Sequence, residues 1–178
     1  MQKLKLLLCV VVIVGLTLLL QSLLMGQGPA LEQGQTSNSK FTIKVERRSD
    51  LSSMMHYWYV FSSARKGDLR WREITKHLYG EPVELPVKQI RFIGNDIAYF
   101  FFQLKYAVTV DAGETWSVFD FGDNPLFKPD QLDYSRIADV KIQEDGTGHV
   151  VMFRYDMTRG QEIKFYTKDF GKHWERSQ

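Results

Sequence analysis

Residues 109–116 read Thr-Val-Asp-Ala-Gly-Glu-Thr-Trp, and residues 167–174 read Thr-Lys-Asp-Phe-Gly-Lys-His-Trp. The chain therefore writes Thr-x-Asp-x-Gly-x-(Thr/His)-Trp twice. Each copy lies between two strand-like runs: Thr109 closes Tyr-Ala-Val-Thr and Thr167 closes Ile-Lys-Phe-Tyr-Thr, while Trp116 and Trp174 open the runs that follow. The motif reads as the turn of a hairpin. Asp111 and Asp169 suit such a turn because a short carboxylate accepts hydrogen bonds from N–H groups of its own loop. Gly113 and Gly171 stand where the backbone needs a positive φ. The tryptophan then covers the turn and buries a large apolar area. Each residue has a local structural task, and none requires a substrate.

The repeat extends outward from the motif. Val87–Phe102 precede the first copy and Ile137–Phe153 the second, and both read as strand, polar turn, apolar strand. Residues 87–121 and 137–177 thus look like two four-stranded meanders, the second with a longer connection at Arg154–Gln161. A degenerate earlier copy is read over 41–74, with Trp71 in the tryptophan place but Lys66 in the aspartate place and Gly67 and Asp68 in reversed order. Across 40–178 the strand-like runs are short and rich in β-branched and aromatic residues, and Gly94–Asp96, Glu144–Gly148 and Thr158–Gly160 punctuate them. Many short strands without an amphipathic helix predict an all-β, antiparallel domain. Arg70–Gly80 is the one stretch that also reads as a helical turn.

The paired motif resembles the Asp box, or bacterial neuraminidase repeat, of form Ser/Thr-x-Asp-x-Gly-x-Thr-Trp. Thr109, Asp111, Gly113, Thr115 and Trp116 match every defined position; Thr167, Asp169, Gly171 and Trp174 match with His173 in place of threonine. The resemblance implies β-propeller-like blades, about three in this length, with each box between the third and fourth strands and away from any active site. It implies no catalytic residues here. The arginine triad, early Arg-Ile-Pro motif and tyrosine nucleophile of sialidases have no counterpart, the nearest being Arg136-Ile137-Ala138.

The N-terminus adds a location. Lys3 and Lys5 precede an apolar run over about Leu4–Met25, long enough to span a bilayer as a helix and longer than a cleaved signal's apolar region. Residues 1–25 are read as a signal anchor. Basic residues before the run and none after it until Lys40 place the N-terminus inside and the remainder across the inner (cytoplasmic) membrane, in the periplasm where the host is Gram-negative and otherwise at the cell exterior. Residues 26–39, rich in Gly, Gln and Ser, read as a flexible stalk. Cys9 lies in the apolar run, so the exported part has no disulfide to rely on. Of 23 basic residues, removing Lys3 and Lys5 leaves 21 against 21 acidic ones. That balance, with no basic stripe, argues against nucleic acid.

Chemistry finds little support. His56, His77, His149 and His173 lack metal-ligand spacing, no Gly-x-Ser-x-Gly elbow occurs, and no cofactor is called for. The expectation is a non-enzymatic binding module that holds another envelope protein or a delivered toxin, in the manner of an adaptor or immunity protein. Self-association would complete a ring of blades. The alternatives are a carbohydrate-binding module and a reduced glycan hydrolase. Tyr57, Trp58 and Tyr59 are the candidate aromatic contact.

Overall fold

The alternation of apolar and polar residues folds the chain into three four-stranded antiparallel sheets with almost no helix, in a computed structural model that describes residues 27–123, 135–156 and 159–176. The first sheet joins β1 (Gln27–Ser37), β2 (Phe41–Asp50), β3 (Ser53–Arg65) and β4 (Arg72–Tyr79). The second joins β5 (Arg91–Ile93), β6 (Ile97–Phe102), β7 (Lys105–Thr109) and β8 (Ser117–Asp120); the third joins β9 (Arg136–Ile142), β10 (Gly148–Asp156), β11 (Arg159–Thr167) and β12 (Glu175–Arg176). In every sheet the strand order is the chain order, so each is a meander.

Three expectations change. Residues 27–37 are not a stalk but strand β1, because β2 offers an open edge to pair with and Glu32 reaches Arg47 at 2.9 Å. Arg70–Gly80 carries strand β4, since an isolated helical turn cannot compete with the ladder along β3. The longer connection before β11 closes up, with Asp156 opposite Arg159. The apolar span over 4–25 lies outside the described residues, and among those described no helix is long and apolar enough to cross a membrane.

The chain divides into two compact units, and the strands of the first sheet contribute to both. One unit takes residues up to Gly34, Val45–Val60 and Lys76–Leu85. Its core holds Val45, Tyr59, Val60 and Leu85. The buried phenol of Tyr59 accepts the Val83 N–H at 2.8 Å and lies 3.1 Å from the Val83 carbonyl, to which it donates. Arg47 donates to the same carbonyl at 3.2 Å.

The other unit takes Gln35–Lys44, Phe61–Thr75 and Pro86–Gln178. Phe61 of β3 stacks on Phe100 of β6 with ring centroids 4.2 Å apart, and Phe41 meets Phe92 edge-on at 5.4 Å. On the opposite side the second and third sheets share one core. Tyr99, Tyr106, Val108 and Phe121 interdigitate with Ile137, Val140, Val150, Met152, Ile163 and Phe165. Period-two alternation on β6 and β7 explains this: a strand with both faces buried carries apolar residues at nearly every position, as Ile-Ala-Tyr-Phe-Phe-Phe does.

Phe121 is fully buried and touches Phe119, Phe165 and Trp174 at 4.7, 5.2 and 5.7 Å. Phe121→Ala is expected to lower unfolding free energy by about 3–5 kcal/mol through the cavity it leaves. Exposed Val118→Ala should change it by no more than about 0.5 kcal/mol. Urea unfolding of both variants checks this.

Candidate functional site

The two motif copies fold into the same turn, bond for bond. In the first, the Thr109 hydroxyl donates to Asp111 Oδ1 at 2.8 Å and accepts the Gly113 N–H at 3.0 Å. Asp111 Oδ1 also accepts the Thr115 N–H at 2.9 Å, and Oδ2 accepts the Thr115 hydroxyl at 2.6 Å. In the second, Thr167 donates to Asp169 at 2.8 Å and accepts from Gly171 at 2.8 Å, while Asp169 accepts the His173 N–H at 3.0 Å. His173 Nδ1 takes the threonine's place on Asp169 Oδ2. The residue after each aspartate is left-handed, Ala112 at φ 56 and Phe170 at φ 62, and each glycine follows at φ 81.

Every turn is also tied backward. Ala112 N donates to Asp96 O and Phe170 N to Gly146 O, both at 2.8 Å, so each motif turn clasps the first hairpin turn of its own sheet. Each tryptophan then reaches the preceding sheet. Trp116 donates through Nε1 to Ser63 of β3 at 3.1 Å and packs against Phe41 and Phe100. Trp174 meets the ring of Tyr106 edge-on at 5.2 Å, and the Tyr106 hydroxyl donates to the Phe170 carbonyl at 2.7 Å. A Cβ at Gly171 would fall 2.5 Å from the Tyr106 ring, so close approach as well as φ demands glycine there.

Electrostatics follow from these bonds. Burial raises the Asp169 carboxyl's pKa, but the hydrogen bonds from His173 and Thr167 outweigh it and hold the group at about 2. Asp111 is lowered in the same way, burial opposing and the Thr115 and Thr109 bonds prevailing. Tyr106 is pushed up by burial and stays protonated, as its donation to Phe170 requires.

The aromatic triplet does not form one patch. Tyr59 is fully enclosed and belongs to the core, a correction imposed by strand alternation, which puts Trp58 on the opposite face. Tyr57 is half-buried beneath Arg47 (5.8 Å), and Trp58 is half-buried beneath Lys76 (5.3 Å).

A cleft absent from the sequence reading opens beside the second motif. It has a volume of about 560 Å³, and its lining includes Gln143, His149, Tyr166, Asp169, His173 and Glu175. Register creates it. His149 stands opposite Tyr166, and Tyr166 opposite Glu175, so three polar or aromatic side chains line up across β10, β11 and β12. Such a wall can stack a flat apolar face and hydrogen-bond its edges. Among the described residues no group of three His, Cys, Asp or Glu is placed to hold a metal ion. Comparison with family models, curated proteins and solved structures finds no match to this chain.

Asp111→Ala and Asp169→Ala are each expected to cost about 1–3 kcal/mol, since they leave turn N–H groups without an acceptor. The pH dependence carries a sign. Asp169 has a depressed pKa when folded, so its contribution is complete above the ordinary value of 3.8 and is lost as pH falls toward about 2. Urea midpoints measured from pH 5 to pH 2 should therefore fall less steeply for Asp169→Asn than for the parent.

Proposed function

We propose that this chain is a membrane-anchored, periplasm-facing binding module, built from propeller-blade-like Asp-box repeats, that holds another protein without catalysing a reaction. The partner on this reading is an envelope component or a delivered toxin. The observation that carries the reading is the closed hydrogen bonding of the two motif turns. The carboxylates of Asp111 and Asp169 accept from their own loops and have lowered pKa values, so at neutral pH neither is poised as a general acid. The motif residues serve the scaffold, and function passes to the side chains that the scaffold presents. Leu69, Trp71, Val118 and Tyr166 are large apolar or aromatic groups left exposed on the β framework, and tryptophan and tyrosine are the kind of group that anchors protein contacts.

A second reading, a carbohydrate-binding module, is favoured by the cleft beside the second motif. Tyr166 and His149 offer ring faces there, with Gln143 and Glu175 at their edges. A reduced glycan hydrolase would need a free acid and base in the same place, and Asp169 is engaged by His173.

Affinity capture of the crosslinked full-length protein from its own membranes separates the readings. The binding-module reading expects one dominant protein partner, recovered equally with Asp111→Ala/Asp169→Ala at a temperature where that variant remains folded. Binding on a glycan array with no protein recovered would overturn it in favour of the carbohydrate reading. Loss of the partner in a fully folded double variant would overturn the scaffold role of the motifs.

A further inference from the structure

The turn between β3 and β4 occupies the place of a motif turn but has a different chemistry. It reads Arg65-Lys66-Gly67-Asp68-Leu69-Arg70-Trp71-Arg72. Its frame is shared: Lys66 N donates to Lys40 O at 2.8 Å, as Ala112 and Phe170 donate to the corresponding hairpin turns. Gly67 has φ 84, close to the 81 of Gly113 and Gly171. The aspartate that closes the other two turns is missing: Arg65 stands in its place, with Ser63 in the place of the threonine. Asp68 comes after the glycine and accepts from Arg70, whose N–H donates at 2.9 Å and whose guanidinium donates at 3.4 Å.

The side chains so released face solvent. Leu69 is 92% exposed, the Arg70 side chain 90%, and Trp71 37% with the Lys44 ammonium 4.5 Å from its ring centre. The turn is nonetheless braced. Arg65 pairs with the Glu114 carboxylate, and Arg72 donates to the Glu114 and Gly113 carbonyls, both at 3.2 Å. Arg65, Lys66, Arg70 and Arg72 outnumber Asp68, Glu73 and Glu114 along this turn, which leaves the surface basic. Beside it lies a cleft of about 410 Å³ lined by Arg65, Asp68, Arg70, Arg72 and Glu114.

We propose that this turn is the contact surface of the binding module and that its occupant is an acidic protein surface with an apolar recess for Leu69. The inference rests on the binding-module reading above. Three properties carry it. Arginine and tryptophan are residues from which interface anchors are drawn, and the exposed leucine beside them adds apolar surface. The brace on Glu114 fixes the loop before binding, which lowers the ordering cost of association. The sign of the charge selects an acidic partner. The carboxylates of Asp68 and Glu114 among the arginines disfavour a uniformly anionic lipid surface, which would meet them as repulsion, and favour an acidic protein surface whose charges can be placed against the arginines alone.

The test places a photo-crosslinking benzoylphenylalanine at Leu69 of the full-length protein in its own membranes, and separately at exposed Leu31 and Tyr166. Expected is a protein adduct from position 69. The captured partner, once purified, should bind the parent with salt-sensitive affinity, and Lys66→Glu/Arg70→Glu should raise its Kd by about tenfold or more at unchanged melting temperature. A lipid adduct, an adduct with the chain's own copy, or a Kd indifferent to the double charge reversal would overturn the proposal. A protein captured at 31 or 166 but not at 69 would overturn it and leave the binding-module reading standing. No protein captured at any of the three positions would remove both.

Discussion

In each motif turn a threonine hydroxyl and an aspartate carboxylate bond to each other and gather the N–H groups of the loop between them, and the packing of the sheets is built on that closure. Without it, the left-handed residue and glycine of each turn would have no reason to persist, since Ala112 and Phe170 are side-chain-bearing residues at positive φ. With it, the turn projects a tryptophan onto the sheet before it. Trp116 lands on Phe41 and Ser63, and Trp174 on Tyr106 and Phe121. The same device thus fastens second sheet to first and third to second within one unit, and the aromatic packing between sheets follows from it.

The two fastenings are not equivalent. Trp116 Nε1 finds the Ser63 hydroxyl, whereas Trp174 Nε1 is enclosed without an acceptor and relies on ring contacts and on the Tyr106-to-Phe170 hydrogen bond. His173 in place of threonine puts an imidazole on Asp169, and the carboxyl there is held lower than an ordinary aspartate. The first sheet departs further. Its turn keeps the backward tie and the glycine but has Arg65 in the place of the closing aspartate, and it carries a charged, partly apolar surface.

How much of this was legible in the sequence depends on range. The motif turns were readable because their hydrogen bonds run between residues two to four apart, and the strands flanking them alternate cleanly. Strand β1 was not, because Gly, Gln and Ser at 27–37 carry no strand signal of their own; an edge strand is held by its partner's backbone, and β2 supplies that from outside the window. Tyr59 was misplaced among exposed aromatics because Tyr57, Trp58 and Tyr59 look alike in sequence, and only tertiary packing decides which phenol meets Val83. The cleft at His149, Tyr166 and Glu175 depends on cross-strand register, which no local pattern specifies.

Each motif turn is tied to the preceding sheet through a specific aromatic contact, and a double-mutant cycle on Trp174 and Tyr106 measures that tie. Urea unfolding of Trp174→Leu, Tyr106→Leu and the pair together gives the coupling energy between the two rings. Coupling of about 0.5–1.5 kcal/mol, the range for edge-on aromatic pairs, is the result expected here. Strict additivity of the two single losses would be the opposite result, and would mean that the turn and the sheet beneath it are stabilised independently.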